Sequence, residues 1–248
     1  MSRLPSAGRV PSALRDDIPL ARRTVSPALR RTGAFRRGLV GAAVLIGGCV
    51  AVLIVFPQPL RRLLAPPPVQ GLSARPGLDG RLLGHFPYGE ATDADLVSIA
   101  PGVQLHADAA EALVAMQQAA TAEGIELRVL SAFRSIASQK HIFFDVKSER
   151  NQSAQQRAQV SAPPGYSEHS TGYAVDLGDA RNPATNLSVA FETTAAFAWL
   201  QTHANRFHFR LSFPVGNGQG VSYEPWHWRF EGSAEALKTF EPAQRLDR

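Results

Sequence analysis

The chain has 248 residues, 44% of them hydrophobic, and a formal net charge of +5 at pH 7, enough for one generous domain or two small ones with a buried core. The charge is uneven: residues 1–62 carry eleven arginines, no lysine and two acids, a net +9, whereas the remainder has fifteen basic residues against nineteen acids, a net −4. The part that can fold is therefore mildly acidic and shows no basic stripe interleaved with aromatics, which argues against nucleic-acid binding, and the single cysteine, Cys49, excludes a disulfide framework or thiolate metal site outside its own segment.

Residues 1–37 mix Pro, Ser, Ala and Arg without an apolar period and read as a disordered basic tail in the cytoplasm. Residues 38–56 follow, nineteen without a charge, which predicts one transmembrane helix, since about twenty apolar residues cross the hydrocarbon. Nine arginines precede it and only Arg61 and Arg62 follow closely, so the positive-inside bias places the N-terminus inside and everything beyond the span outside the cytoplasm, in the periplasm or its equivalent. The long arginine-rich leader and the missing small-x-small cleavage site favour retention over a cleaved signal peptide. Cys49 reads as a membrane-buried small residue, because seven more apolar residues follow it and make a lipoprotein site a poor fit. Pro57, Pro59 and Pro66 to Pro68 predict a stiff stalk over 57–80, and the folded domain is expected over 81–248.

Within that domain, 108–123 reads as a helix opened by a capping box, Asp108 with Glu111, and closed by Gly124, with Leu113, Met116 and Ala120 facing the core. Residues 126–131 alternate as a strand with Leu127 and Val129 on one face. A polar helix with Ile142, Phe143 and Val146 on its apolar face spans 136–149. Further strands are expected at 173–178, 207–213 and 226–231, with an amphipathic helix at 191–205. The elements interleave without a repeated strand-helix-strand rhythm or a glycine fingerprint, so the predicted class is α+β, a single domain with a mainly antiparallel sheet flanked by helices.

Two short segments concentrate the chemistry: 167–176, with Ser167, Glu168, His169 and Asp176, and 224–227, with Glu224, Pro225, Trp226 and His227. Hydrolytic zinc keeps three protein ligands and an open position for water, and two imidazoles with one carboxylate, His169, His227 and Asp176, are such a set, leaving Glu224 as a free base. Taken singly, a histidine is more often a satisfied polar residue and an aspartate beside a strand a turn residue. Read from the residues alone, a metal site and a cluster of ordinary polar groups both fit. Pro225 between Glu224 and His227 argues against a helical zinc-protease motif. Met116 reads as packing, Trp226 and Tyr173 as pocket wall or core, and His141, His203 and His208 as structural or surface residues, while His85 and His106 fall outside the motifs.

Three ordered motifs carry a resemblance: Ser131-Ala132-Phe133-Arg134-Ser135 with Gln139; Pro163 through Asp176; and Glu224-Pro225-Trp226-His227. Over about 82–240 the chain resembles the D-alanyl-D-alanine carboxypeptidases of the vancomycin-resistance type, a zinc peptidase group that shares its fold with lysostaphin-like enzymes and the hedgehog signalling domain. The resemblance implies one Zn2+ per chain on His169, Asp176 and His227, Glu224 as catalytic base activating the zinc water, and Arg134 near the substrate carbonyl. It also implies that Gln139 and Ser167 help hold the substrate's terminal carboxylate or amide. The implied activity is removal of the terminal D-alanine from peptidoglycan stem peptides at the outer face of the cytoplasmic membrane. An L,D-carboxypeptidase or D,D-dipeptidase on the same scaffold, and a non-catalytic cell-wall binding module, are the alternatives. Two positions depart from the family pattern: Phe133 where tyrosine is common, and Phe207-His208-Phe209 where the middle residue is usually glycine.

Overall fold

A computed structural model describes residues 68–246, all within Gln58–Arg248, the second of the chain's two units. The expected tail, the membrane span at 38–56 with Cys49, and the first part of the stalk lie outside the described residues. Among the described residues no helix is long and apolar enough to cross a membrane. The described part of the expected stalk forms turns, one closed by Leu72 N–H donating to Val69 O at 3.1 Å. Gly71, at φ +85°, sits against the Phe144 ring, where a Cβ would approach to 3.1 Å.

The elements in chain order are β1 (Leu96–Ala100), β2 (Val103–His106), α1 (Ala107–Ala122), β3 (Leu127–Ser131), α2 (Ile136–Glu149), α3 (Ala154–Ala158), β4 (Ala174–Asp179), α4 (Ala195–His203), β5 (Phe209–Leu211), β6 (His227–Phe230) and α5 (Ala234–Leu246), with short 3-10 turns between them. β1 and β2 form an antiparallel hairpin turned at Gly102, which adopts φ +72°. β3, β4, β6 and β5 lie in that order in a second sheet, all pairs antiparallel. The mainly antiparallel α+β domain expected from the sequence is the observed one.

The central strand β4 is buried along its whole length, and its period of two divides the labour between the faces. Val175 and Leu177 join Leu113, Met116, Leu200 and Phe230 in the apolar core, while Asp176 turns to the other face. Its neighbour β6 repeats the scheme: Trp228 and Phe230 enter the core and His227 and Arg229 face away from it. Because Asp176 is the register partner of His227, the sheet itself holds these two side chains together.

Several local expectations are corrected. The cap of α1 is His106, whose Nδ1 accepts from Asp108 N–H at 3.3 Å, rather than an Asp108/Glu111 box. Asp108 contributes instead as an acid in the first turn, and Gly124, at φ +79°, closes the helix as expected. The helix expected over 191–205 is split, because Thr194 Oγ1 accepts from Phe197 N–H at 3.2 Å and caps a fresh start at Ala195. The strand expected over 207–213 shrinks to Phe209–Leu211, since His208 adopts a left-handed φ of 60°. That conformation is one only glycine takes without a steric penalty, which gives a physical reason for the glycine that the resemblance leads one to expect here. We expect His208→Gly to raise stability by up to about 1 kcal/mol in thermal unfolding, net of the lost edge contact with Phe230.

Candidate metal centre

The 3-10 turn Glu168–Thr171 delivers His169 just ahead of β4. The chain leaves this turn through Gly172 at φ +73°, where a Cβ would stand 2.9 Å from Leu96 Cδ2 and 3.2 Å from the His106 amide nitrogen. Glycine is thus required by both backbone conformation and space. His169 Nδ1 donates to the Ala132 carbonyl at 2.7 Å. The proton is therefore on Nδ1, and Nε2, 3.2 Å from Asp176 Oδ2, presents its lone pair to the site. Asp176 Oδ1 lies 3.1 Å from His227 Nδ1, and His227 Nε2 lies 3.0 Å from Glu168 Oε2. One donor atom from each of His169, Asp176 and His227 falls within a mutual 4.8 Å, and all three residues are buried.

Electrostatics organise this cluster. Burial opposes ionisation of Asp176, but the His169 and His227 rings outweigh it and hold the carboxyl well below its ordinary range. For His227, burial disfavours the cation, yet hydrogen bonds to Asp176 and Glu168 raise its pKa to about 10. Burial also opposes the charge on Glu168, and Arg229, His227 and Ser212 overcome it, leaving a pKa of about 2. His169 goes the other way, depressed chiefly by desolvation.

Glu168 and Arg229 form the foundation beneath the donors. Arg229 is fully buried; its Nη1 donates to Glu168 Oε1 at 2.9 Å, its Nε donates to Glu231 Oε1 at 2.7 Å, and its guanidinium lies 5.2 Å from the Phe240 ring centre. Ser212 Oγ donates to Glu168 Oε2 at 2.5 Å. The chain Arg229, Glu168, His227, Asp176 therefore alternates in charge and fixes the orientation of the His227 ring. Replacing Arg229 by Met should destabilise the protein by about 3–5 kcal/mol, because Glu168 would be left buried and unpaired. Urea unfolding of the metal-free protein measures this, and a change below about 1 kcal/mol, the scale of an exposed pair, would contradict it.

Glu224 occupies the rim of the same site. Its Oε2 is 3.9 Å from His227 Nδ1, and its carboxylate accepts no hydrogen bond from a described residue. A turn in which His227 N–H donates to Glu224 O, together with Glu224 N–H donating to Phe213 O, fixes its backbone. Burial, helped by Asp176 and Glu168 against the opposing His227 and Arg134, lifts its pKa to about 7. Arg134, on the loop between β3 and α2, donates from Nη2 to Ser131 Oγ and from Nη1 to Gln139 Oε1, both at 2.9 Å, and its Nη2 is 3.9 Å from Asp176 Oδ2.

These residues line one cavity of about 560 Å³ together with Ser167, Trp226 and His85. The amide of Gln139 is engaged at both ends: Oε1 accepts from Arg134, and Nε2 donates to Ser161 Oγ at 3.2 Å and Ala162 O at 2.6 Å. In this arrangement it braces Arg134 rather than offering an N–H to a ligand. The Ser167 hydroxyl, by contrast, has no hydrogen-bond partner among the described residues and borders the cavity.

The sequence reading assigned no role in the site to Glu168, Arg229 or His85. Glu168 and Arg229 are 61 positions apart, and only the alternation of His227, Trp228, Arg229 and Phe230 signals that Arg229 shares a face with His227. His85, whose Nε2 donates to Ala158 O at 2.7 Å, carries no signal in its surroundings. Of the other histidines, His141 is exposed beside Asp145 and His203 stacks on Trp199. His106 Nε2 meets Tyr173 Oη at 3.0 Å, within the packing around the core.

Two imidazoles, one carboxylate and a neighbouring glutamate that accepts no hydrogen bond from a described residue define the class of site found in mononuclear metal-dependent hydrolases. The chain belongs to the VanY family of D-alanyl-D-alanine carboxypeptidases, whose family model matches residues 102–233. The putative carboxypeptidase YodJ of Bacillus subtilis (strain 168) is 38% identical over 135 residues, 52% of this chain and 47% of that protein. Among solved structures, the LdcB LD-carboxypeptidase superposes with a TM-score of 0.55 at 30% identity, covering 66% of this chain and 83% of that one. A point mutant of the vancomycin-resistance D,D-pentapeptidase VanY, in complex with Zn(II), superposes with a TM-score of 0.50 at 25% identity, covering 63% and 89%. The chain spans 47% and 59% of the length of the first two curated relatives it matches.

Proposed function

We propose that the protein is a zinc D,D-carboxypeptidase that removes the terminal D-alanine from peptidoglycan stem peptides. The observation that carries this reading is the convergence of His169, Asp176 and His227 within 4.8 Å beside a glutamate whose carboxylate accepts no hydrogen bond from a described residue. The donor set fits zinc: nitrogen and oxygen ligands in a hydrolytic triad suit this ion, and each imidazole has its remaining nitrogen anchored, on Ala132 O for His169 and on Glu168 for His227, as bound histidines require. His169 Nε2, His227 Nδ1 and an oxygen of Asp176 would hold the metal. When bound, zinc supplies Lewis-acid polarisation of the carbonyl and lowers the pKa of water toward ~7.

The chain's own residues then divide the work. Glu224, held at the cavity rim, takes the proton of the attacking water and returns it to the amine of the departing D-alanine. Arg134, fixed by Ser131 and Gln139, aims its guanidinium at the developing oxyanion with a charge that does not titrate away near neutrality. Ser167 is placed to hydrogen-bond the substrate's terminal carboxylate or amide, and Trp226 walls the pocket. We further propose that the apolar segment 38–56 anchors the enzyme in the cytoplasmic membrane with the catalytic domain outside, on the strength of its length and the arginine asymmetry around it.

Because one similar structure is an LD-carboxypeptidase, the decisive assay offers pentapeptide, tetrapeptide and free D-Ala-D-Ala side by side. The proposal expects D-alanine release from the pentapeptide. Release from the tetrapeptide alone would assign an L,D-carboxypeptidase, and cleavage of the free dipeptide alone a dipeptidase.

A further inference from the structure

On the wall of the same cavity formed by α2 and α3, two more arginines, Arg150 and Arg157, border the space. Arg157 is 6% exposed. Its Nε is buried without a hydrogen-bond partner, and its Nη2 makes only a long contact, 3.3 Å, to the Ile142 carbonyl. Among the described residues no carboxylate pairs with Arg157 or with Arg150. The acids of the cavity are committed elsewhere: Glu168 to Arg229 and His227, Asp176 to the two histidines, and Glu224 to the rim near His227. An always-charged guanidinium enclosed without an anion is unfavourable, and burial, with the proximity of Arg150, pulls the Arg157 pKa down. A fold that keeps such a group beside a ligand cavity has left its counter-charge to the ligand.

The position of Arg157 relative to the reacting centre follows from α2. Gln139 holds Arg134, and Ile142, three residues later on the same helix, offers its carbonyl to Arg157. Arg134 and Arg157 are thus both tied to α2, one through Gln139 and the other through the Ile142 carbonyl, and both border the one cavity. Ser153 caps α3 through a complete capping box with Gln156, which fixes the short helix that presents Arg157.

We propose that Arg157, seconded by Arg150, forms a carboxylate subsite that binds an acidic group of the peptide substrate and sets the enzyme's preference for it. This inference rests on the peptidase reading for the nature of the ligand. The carboxylate has two sources: one common to all stem peptides, such as the terminal one, and the side-chain carboxylate that diaminopimelate carries and lysine lacks.

The test measures binding without turnover, by calorimetry with the zinc-loaded full chain in a Glu224→Gln background. Two pentapeptides ending in D-Ala-D-Ala, with diaminopimelate or lysine at the third position, are titrated into Arg157, Arg157→Met and Arg157→Lys forms. Arg157→Met is expected to weaken binding about 10- to 100-fold, with Arg157→Lys recovering part of the loss and no form melting below the parent. Weakening on both peptides identifies a carboxylate they share, and weakening confined to the diaminopimelate peptide identifies the side-chain group. Equal affinities across the three forms would overturn the proposal, as would a loss in Arg157→Met accompanied by a lowered melting temperature and no rescue by lysine. Whether the protein with Glu224 intact releases D-alanine is a separate measurement, so a failed peptidase reading and a failed subsite give different results.

Discussion

Replacing Glu224 by Gln is expected to lower D-alanine release by about 10²- to 10⁴-fold while leaving zinc content and fold unchanged. The substitution keeps the shape of the side chain and removes the group that accepts the proton. Glu224 stands 3.9 Å from His227 Nδ1 and accepts no hydrogen bond from a described residue, so the amide breaks no structural bond. Burial lifts its pKa to about 7 in the metal-free protein, and a bound cation would lower it. Since the base acts in its ionised form, activity should fall as pH drops through an acid limb at or below about 7, and that limb should be missing from the residual activity of the variant. Metal analysis beside the rate assay distinguishes loss of the base from loss of zinc. A variant retaining a tenth or more of the wild-type rate would remove Glu224 from the mechanism.

Asp176→Asn should cost more, abolishing both zinc retention and hydrolysis. The carboxylate is at once an expected ligand and the anion between His169, His227 and Arg134, at 3.2, 3.1 and 3.9 Å. Its neutral analogue would leave three basic groups around a site meant for a cation. We expect zinc affinity to fall more than about 100-fold, beyond the roughly 10- to 100-fold typical of losing a group that merely orients a ligand. Glu168→Gln, which alters the partner of His227 Nε2 and not a donor to the metal, should fall within that smaller range. Competition titration with a zinc chelator ranks the two, and equal losses would contradict the division between ligand and support.

Much of this site was legible because strand chemistry is written in alternation. In β6, His227 and Arg229 alternate with Trp228 and Phe230, and in β4, Asp176 lies between Val175 and Leu177, so the polar face of each strand is readable from its period. What alternation does not specify is register, and it is the β4–β6 register that pairs Asp176 with His227. The burial of Arg229 and its pairing with Glu168 depend on the turn Glu168–Thr171 folding back over β6, a tertiary contact with no local signature. Helix boundaries failed where side chains outcompeted hydrophobic period: Thr194 restarts a helix that a continuous apolar pattern would carry through, and His106 caps α1 where Asp108 looked the better candidate. His208 was visible only as an oddity in a family pattern; its left-handed backbone supplies the reason.

The central claim is tested most directly by D-alanine release from a D-Ala-D-Ala-ending pentapeptide by the full chain, followed as zinc is added back to chelated protein. The account predicts no release without metal and a rate that rises linearly and saturates at one zinc per chain. Release that persists under chelation, or a chain fully loaded with zinc that leaves the pentapeptide intact, would contradict it.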